Sequence, residues 1–156
     1  MTEIDKSILK FDNLDLTRLL ESWTWLTGGK SIVALTKVGD MLLKDRNNEL
    51  YFLDAGNGEI RLISHNYIDF FQNQLSENVL AEILLPNLVD KLDSKYTNLK
   101  PGQVYSYHLL PILGGLYNET NMFPLDIYEH FGLTGVIHNK IKNLPDETRV
   151  KIEFEK

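Results

Sequence analysis

Four histidines and a scatter of carboxylates are the groups with which this chain would hold a metal or move a proton. His65, His108, His130 and His138 show no short paired spacing. The nearest two, His130 and His138, would stand about 12 Å apart along a straight helix, too far for two imidazoles to share one ion unaided. His138 is therefore expected as a satisfied interior histidine, His130 as an exposed one and His108 as a strand-end residue. Asp40, Asp45, Asp54, Glu59 and Asp126 would supply general acids or bases. Each adjoins a turn or a helix start, where aspartate bonds nearby backbone amides or meets the positive end of a helix dipole. The absence of cysteine excludes disulfides and thiolate metal cages. GxSxG, GxxxxGKS/T and HExxH do not occur, and Gly56-Asn57-Gly58 lies between strands rather than before a helix, where a dinucleotide fingerprint would be. The expectation is a protein without catalytic residues, cofactor or metal.

What the chain has instead is shape. Lys100-Pro101-Gly102 reads as a turn, because proline presets φ at one central position and glycine accepts positive φ at the next. Gln103-Val104-Tyr105-Ser106-Tyr107 leaves it in extended form, and Gly114-Gly115 permits a bend or a close backbone approach. After the bend comes Leu116-Tyr117-Asn118-Glu119-Thr120-Asn121-Met122-Phe123, a polar and aromatic loop of the composition that recognition surfaces use. Tyr117, Asn118, Glu119 and Asn121 are the candidate partner-binding residues, with Lys100, Gly114 and Gly115 holding the loop in place. The alternative is a small-molecule-binding regulatory module that uses the Gly114-Gly115 bend and nearby tyrosines as a pocket.

The elements that position this loop follow from periodicity. Leu16, Leu19, Leu20 and Trp23 recur at intervals of three and four, which predicts an amphipathic helix stopped at Gly28-Gly29. From Ile32 to Ile63, four short apolar runs are separated by Gly39-Asp40, Asn47-Asn48 and Gly56-Asn57-Gly58, the pattern of a four-stranded antiparallel meander. Residues 64–75 return to helical spacing through Ile68, Phe71 and Leu75, with Ser64 or Asn66 as cap. A further helix opens at Ser76-Glu77 and is broken or restarted at Pro86. Gln103 to His108 is a fifth strand, Leu125 to Ile141 a closing helix whose Gly132 and Gly135 pack closely on the sheet, and Arg149 to Phe154 a final half-buried strand. The fold class is α+β: an antiparallel meander sheet packed against several helices in a single compact domain spanning residues 1–156, with 1–14 a loosely ordered segment.

Composition sets the remaining bounds. A chain of 156 residues with 43% hydrophobic and 24% charged side chains suffices for one domain with its own core. No apolar run approaches the roughly 20 residues of a spanning helix, and Met1 to Lys6 lacks the basic and apolar regions of a signal peptide. A cytoplasmic location without membrane association is expected. The net charge of −6 disfavours direct binding to nucleic acid and favours a basic partner.

Several of these segments together resemble the DUF1851 domain family, the C-terminal part of type VI secretion DNase immunity proteins. The residues that carry the resemblance are Gly39-Asp40 with Leu50-Tyr51-Phe52-Leu53-Asp54, the block from Leu99 to Tyr107, Leu113-Gly114-Gly115, Asn121, and Ile137-His138-Asn139-Lys140-Ile141-Lys142-Asn143-Leu144-Pro145. The similarity runs from about Trp23 to Phe154. It departs at Asp146-Glu147-Thr148, where only Thr148 keeps the usual pattern. The resemblance implies a bacterial immunity protein, not an enzyme, that binds and occludes a cognate secreted toxin, a type VI secretion nuclease effector. The N-terminal domain that many relatives carry has no counterpart in Met1 to Asp15.

Overall fold

The computed structural model describes residues 6–72 and 76–144. Five strands form one antiparallel sheet in the order β1-β2-β3-β4-β5: β1 (Ile8–Leu9), β2 (Ser31–Thr36), β3 (Met41–Lys44), β4 (Leu50–Asp54) and β5 (Glu59–Ser64). The expected meander is β2 to β5. Ile8 and Leu9 add an edge strand opposite Thr36 and Leu35, inside the segment read as loosely ordered. The strand expected at Arg149 to Phe154 lies outside the described residues.

Both faces of this sheet are covered, which is why its strands are nearly continuous apolar runs rather than alternating ones. Leu35, Met41, Leu43 and Leu53 point into one core with Leu19, Trp23, Ile127 and Phe131. Ala34, Leu42, Leu50 and Phe52 point into a second with Phe70, Leu80, Ile83 and Leu84. The first face is closed by α1 (Leu16–Leu20), a 3₁₀ turn (Glu21–Trp23) and α2 (Thr24–Thr27), which together make up the expected first helix. The Asp15 side chain caps it by accepting from the Arg18 N–H, and Gly28 ends it at φ 47°.

The second face is closed by α3 (Tyr67–Gln72) and α4 (Ser76–Leu84). Asn66 Oδ1 caps α3 by accepting from the backbone N–H groups of Ile68 and Asp69. The helix turns Phe70 inward and leaves Ile68 and Phe71 exposed, so the face expected from Ile68, Phe71 and Leu75 is corrected; Leu75 is outside the described residues. The restart at Pro86 is borne out. Leu85 takes φ 52°, breaking the chain direction before Pro86 opens α5 (Pro86–Tyr96) at a helix start that needs no proline N–H.

β6 (Gln103–Tyr107) is the expected fifth strand, entered through Gly102 at φ 82°. Its neighbour is β7 (Met122–Asp126), in a separate two-stranded sheet in which Tyr105 faces Pro124 and Tyr107 faces Met122. The loop and helix start expected there are thus corrected: residues 122–126 are strand, and α6 (Ile127–Ile141) begins two residues later than Leu125. Proline has no amide to donate, yet it is tolerated in so short a ribbon. Asp126 caps α6 by accepting from the N–H groups of Tyr128 and Glu129. Gly135 packs on the 3₁₀ turn rather than on the sheet, since a Cβ there would lie 2.5 Å from the Ser22 carbonyl oxygen.

Two buried histidines tie α6 to the sheet. His130 Nε2 donates to the Gly39 carbonyl at 2.8 Å, and His138 Nε2 donates to the Ala55 carbonyl at 2.7 Å. Gly39 belongs to the β2–β3 turn and Ala55 to the β4–β5 turn, which lie at one end of the sheet and two strands apart, about 10 Å. An eight-residue helical rise of about 12 Å matches that separation. The spacing that prevents the two rings from sharing a metal lets one helix clasp two hairpin turns. His138 is interior as expected, whereas His130 is fully buried and not exposed.

Candidate functional site

At this clasped end of the sheet a cavity of about 320 Å³ opens between three elements. Asp40 enters it from the β2–β3 turn, Phe52, Asp54, Glu59 and Arg61 from β4 and β5, Glu82 and Ile83 from α4, with Leu85 after that helix, and Tyr117 from the 108–121 loop. Four acidic residues and one arginine thus line it, and Arg61 lies over the Phe52 ring at 5.6 Å. None of the four forms an ion pair among the described residues. Asp54 and Glu59 sit directly opposite each other across the β4–β5 ladder, a like-charge arrangement that works against the sheet.

Asp54 and Asp45 carry out the local work expected of turn residues. Asp54 Oδ1 accepts from the Asn57 N–H at 3.0 Å and shapes the β4–β5 turn. Asp45 Oδ1 accepts from the N–H groups of Asn47 and Glu49 in the opposite turn, outside the cavity. Asp40 departs furthest from a turn residue: it is buried, and Oδ1 accepts from the Ala55 N–H at 2.9 Å across the two hairpins. Burial pushes its carboxyl well above the usual carboxylate range; the nearby Asp54 adds to the rise, and the Ala55 N–H opposes it.

Tyr107 lies behind the cavity wall. Its ring meets that of Tyr117 edge-on at 5.9 Å, and its buried hydroxyl has no hydrogen-bond partner. Burial raises its pKa well above the usual value, with Asp40, Tyr117 and Asp54 adding to the effect. Burial likewise raises Tyr117, followed by Asp54 and Asp40, while the Asn57 amide that donates to its hydroxyl at 2.9 Å opposes the rise.

The loop around Tyr117 is tied together by its own polar groups. Asn118 Oδ1 accepts from the Thr120 N–H, the Thr120 hydroxyl and the Asn121 N–H. Asn121 Oδ1 accepts from the Leu109 N–H, while Nδ2 donates to the Leu109 and Leu116 carbonyls at 2.9 Å. Gly115 is required by contact: a Cβ there would overlap the Leu109 carbonyl oxygen. Gly114 is required by conformation, at φ 102° with open space around it. Outward the loop presents Leu109, Ile112, Leu116 and Tyr117, with Leu116 65% and Tyr117 42% exposed.

Of the residues singled out in the sequence, the structure brings Tyr117 to the cavity and uses Asn118 Oδ1 and the whole side-chain amide of Asn121 within the loop. The Glu119 backbone carbonyl accepts from Lys95 Nζ on α5 at 2.7 Å. Lys100 stands in the turn before β6, at the opposite end of the β6–β7 ribbon from this loop, so its place as a loop support is corrected. Of the residues of the alternative pocket, Tyr117 lines this cavity, while Gly114, Gly115, Tyr105 and Tyr107 do not. Tyr105 is bonded to Asp93 instead, and His108 stacks on Phe123. Sequence reasoning missed Arg61 and Glu82 as site residues. Glu82 carries no signal, because α4 delivers it from a distant part of the chain. Among the described residues no group of three or more histidines or carboxylates is placed to hold a metal ion, and no helix is long and apolar enough to cross a membrane.

Comparison with known proteins agrees with the resemblance in the sequence. No curated protein matches the chain. The fold is similar to the crystal structure of Atu4351 from Agrobacterium tumefaciens, with a TM-score of 0.53 at 16% identity over 78% of this chain. The similarity spans 64% of that chain's length, and at this identity it concerns the fold alone. The matched segment runs from the end of β5 to His138, and so contains α3 to α5, most of α6, the 108–121 loop and both clasping histidines. Residues 64–138 of this chain match the family described as T6SS immunity protein Tdi1, C-terminal.

Proposed function

We propose that this chain is the immunity member of a type VI secretion toxin–immunity pair and neutralises its toxin by binding and covering it, without turnover, inside the cell that makes both. The observation that carries the reading lies within the family-matched segment. The 108–121 loop turns its amides inward and displays Leu109, Ile112, Leu116 and Tyr117 outward. Large apolar side chains held on a rigid loop beside polar surface are the anchors of protein interfaces. A nuclease is the toxin class that the charge favours, since a basic nucleic-acid groove complements a chain of net charge −6. In this reading Tyr117 and Glu119 face the toxin, and Asn118 and Asn121 shape the loop that presents them.

Tyr117→Ala tests the anchor. It should weaken binding of the toxin encoded beside this gene by about 10- to 100-fold in calorimetric titration. Because the ring is partly exposed, Tm should move by no more than about 3 °C. Unchanged affinity, or a fall in Tm large enough to account for the loss, would remove Tyr117 from the interface.

A further inference from the structure

We infer that Asn57, on the β4–β5 turn, is the positioning residue of the toxin-binding surface: it fixes Tyr117 so that the phenol keeps its own hydrogen for an acceptor oxygen on the toxin. This inference rests on the immunity reading with Tyr117 as its anchor, and adds what sets that anchor. The turn is closed without the Asn57 side chain. Asp54 Oδ1 accepts from the Asn57 backbone N–H at 3.0 Å, the Asp54 carbonyl accepts from the Gly58 N–H at 2.8 Å, and Gly58 supplies the positive φ of 69°. The side-chain amide is left for another use, and it reaches a residue 60 positions away, where Nδ2 donates to the Tyr117 hydroxyl at 2.9 Å.

The direction of that bond follows from the partners. Asn57 Nδ2 also donates to Asp54 Oδ2 at 3.0 Å, and a carboxylate only accepts, so the nitrogen of the amide, not its oxygen, faces both groups. Its two hydrogens are then both engaged, the phenol oxygen is the acceptor, and the phenol hydrogen remains to be given. Among the described residues the Tyr117 hydroxyl donates to no acceptor. The ring is held edge-on against Tyr107 at 5.9 Å and is 42% exposed. The loop that carries it is docked on the same turn: the Ile112 N–H donates to the Gly56 carbonyl at 3.3 Å, and Pro111 occupies the space a Cβ on Gly56 would need. His138 anchors that turn in the interior through the Ala55 carbonyl. Asn57 thus links a fixed turn to the polar end of the anchor and orders the tyrosine before the toxin arrives, a cost that an untethered side chain would meet on binding.

The test has two arms on the full chain. In the first, the side-chain amide signals of Asn57 in the free protein are compared by NMR between wild type and Tyr117→Phe, which keeps the ring and removes the hydroxyl. A clear shift supports the inference; unmoved signals overturn it. In the second, the toxin encoded beside this gene is titrated calorimetrically against wild type, Asn57→Ala, Tyr117→Phe and the double variant. Each single change should weaken binding by about 3- to 10-fold, the loss of one hydrogen bond, with Tm within about 3 °C of wild type. The double variant should bind no more weakly than Tyr117→Phe alone, because Asn57 acts only through the hydroxyl. A further loss on adding Asn57→Ala to Tyr117→Phe, the mark of a general loosening of the turn, overturns the positioning role, as does unchanged affinity of Asn57→Ala. Both of those outcomes leave the immunity reading standing. A wild type that does not bind the toxin at all overturns that reading, and this inference with it.

Discussion

His130→Ala should lower the unfolding free energy by about 3–5 kcal/mol at pH 7 and flatten its dependence on pH between about 4 and 6.5. The ring is fully buried, with Nε2 donating to the Gly39 carbonyl and Nδ1 accepting from the Ser106 hydroxyl at 2.7 Å. Gly39 O has no proton to give, so Nε2 carries the hydrogen and the neutral ring satisfies both partners. Truncation leaves a carbonyl and a hydroxyl unpaired in the interior and opens a void against Gly39, whose left-handed turn at φ 81° has no room for a Cβ beneath the ring.

Burial also pushes the His130 pKa down to about 4, with the Gly39 hydrogen bond working against it. The unfolded chain, with an ordinary histidine value of about 6.5, takes up the proton first as pH falls. The stability that neutral His130 contributes is therefore complete above about 6.5 and is lost on acidification toward 4, a change on the order of 3 kcal/mol. His138, lowered chiefly by burial, acts in the same direction. Asp40 acts in the opposite one, because its raised pKa makes the folded state the better proton acceptor above the ordinary carboxylate value. Asp40→Asn should accordingly steepen the acid loss, and Asp40→Asn with His130→Ala should flatten it. Chemical denaturation at several pH values measures all of these slopes. A wild-type slope retained in His130→Ala would contradict the clasp.

Gly115→Ala should open the 108–121 loop, lowering stability by about 2–4 kcal/mol and toxin affinity by about 100-fold. The added methyl would overlap the Leu109 carbonyl oxygen and stand 2.8 Å from Asn121 Nδ2. Neither neighbour can retreat alone, because Asn121 binds that same carbonyl and the Gly115 N–H donates to Leu110 O at 3.0 Å. Gly114→Ala makes the contrast: its site is open, so it bears only the left-handed backbone strain, about 1 kcal/mol. Equal effects of the two substitutions on affinity would mean that the loop is not held by the Asn121 clamp.

Local chemistry made much of this fold legible. The Pro101-Gly102 turn, the four-stranded meander and the break at Pro86 each follow from a residue with restricted or permissive φ beside an apolar run. What escaped was pairing at a distance. Pro124 concealed β7, because a proline in a short apolar run speaks against a strand unless its partner is known. His130 shares the inward spacing of Ile127, Thr134 and His138, so its burial had a signal that its polarity masked. The order Phe70-Phe71 offers two helical registers, and only packing against Phe52 and Leu80 selects the first. The turn aspartates were read by their local duty, which Asp54 does perform. That Asp40, Asp54, Glu59 and Glu82 also converge required the tertiary fold, since α4 brings the fourth from outside the sheet.

The most direct measure of the whole account is growth of cells that express the neighbouring toxin with and without this chain. The chain should restore growth and leave the lysate as a stable complex with the toxin, at one copy of each. Cells that stop growing although the folded chain is abundant, or protection with no complex formed, would contradict neutralisation by binding.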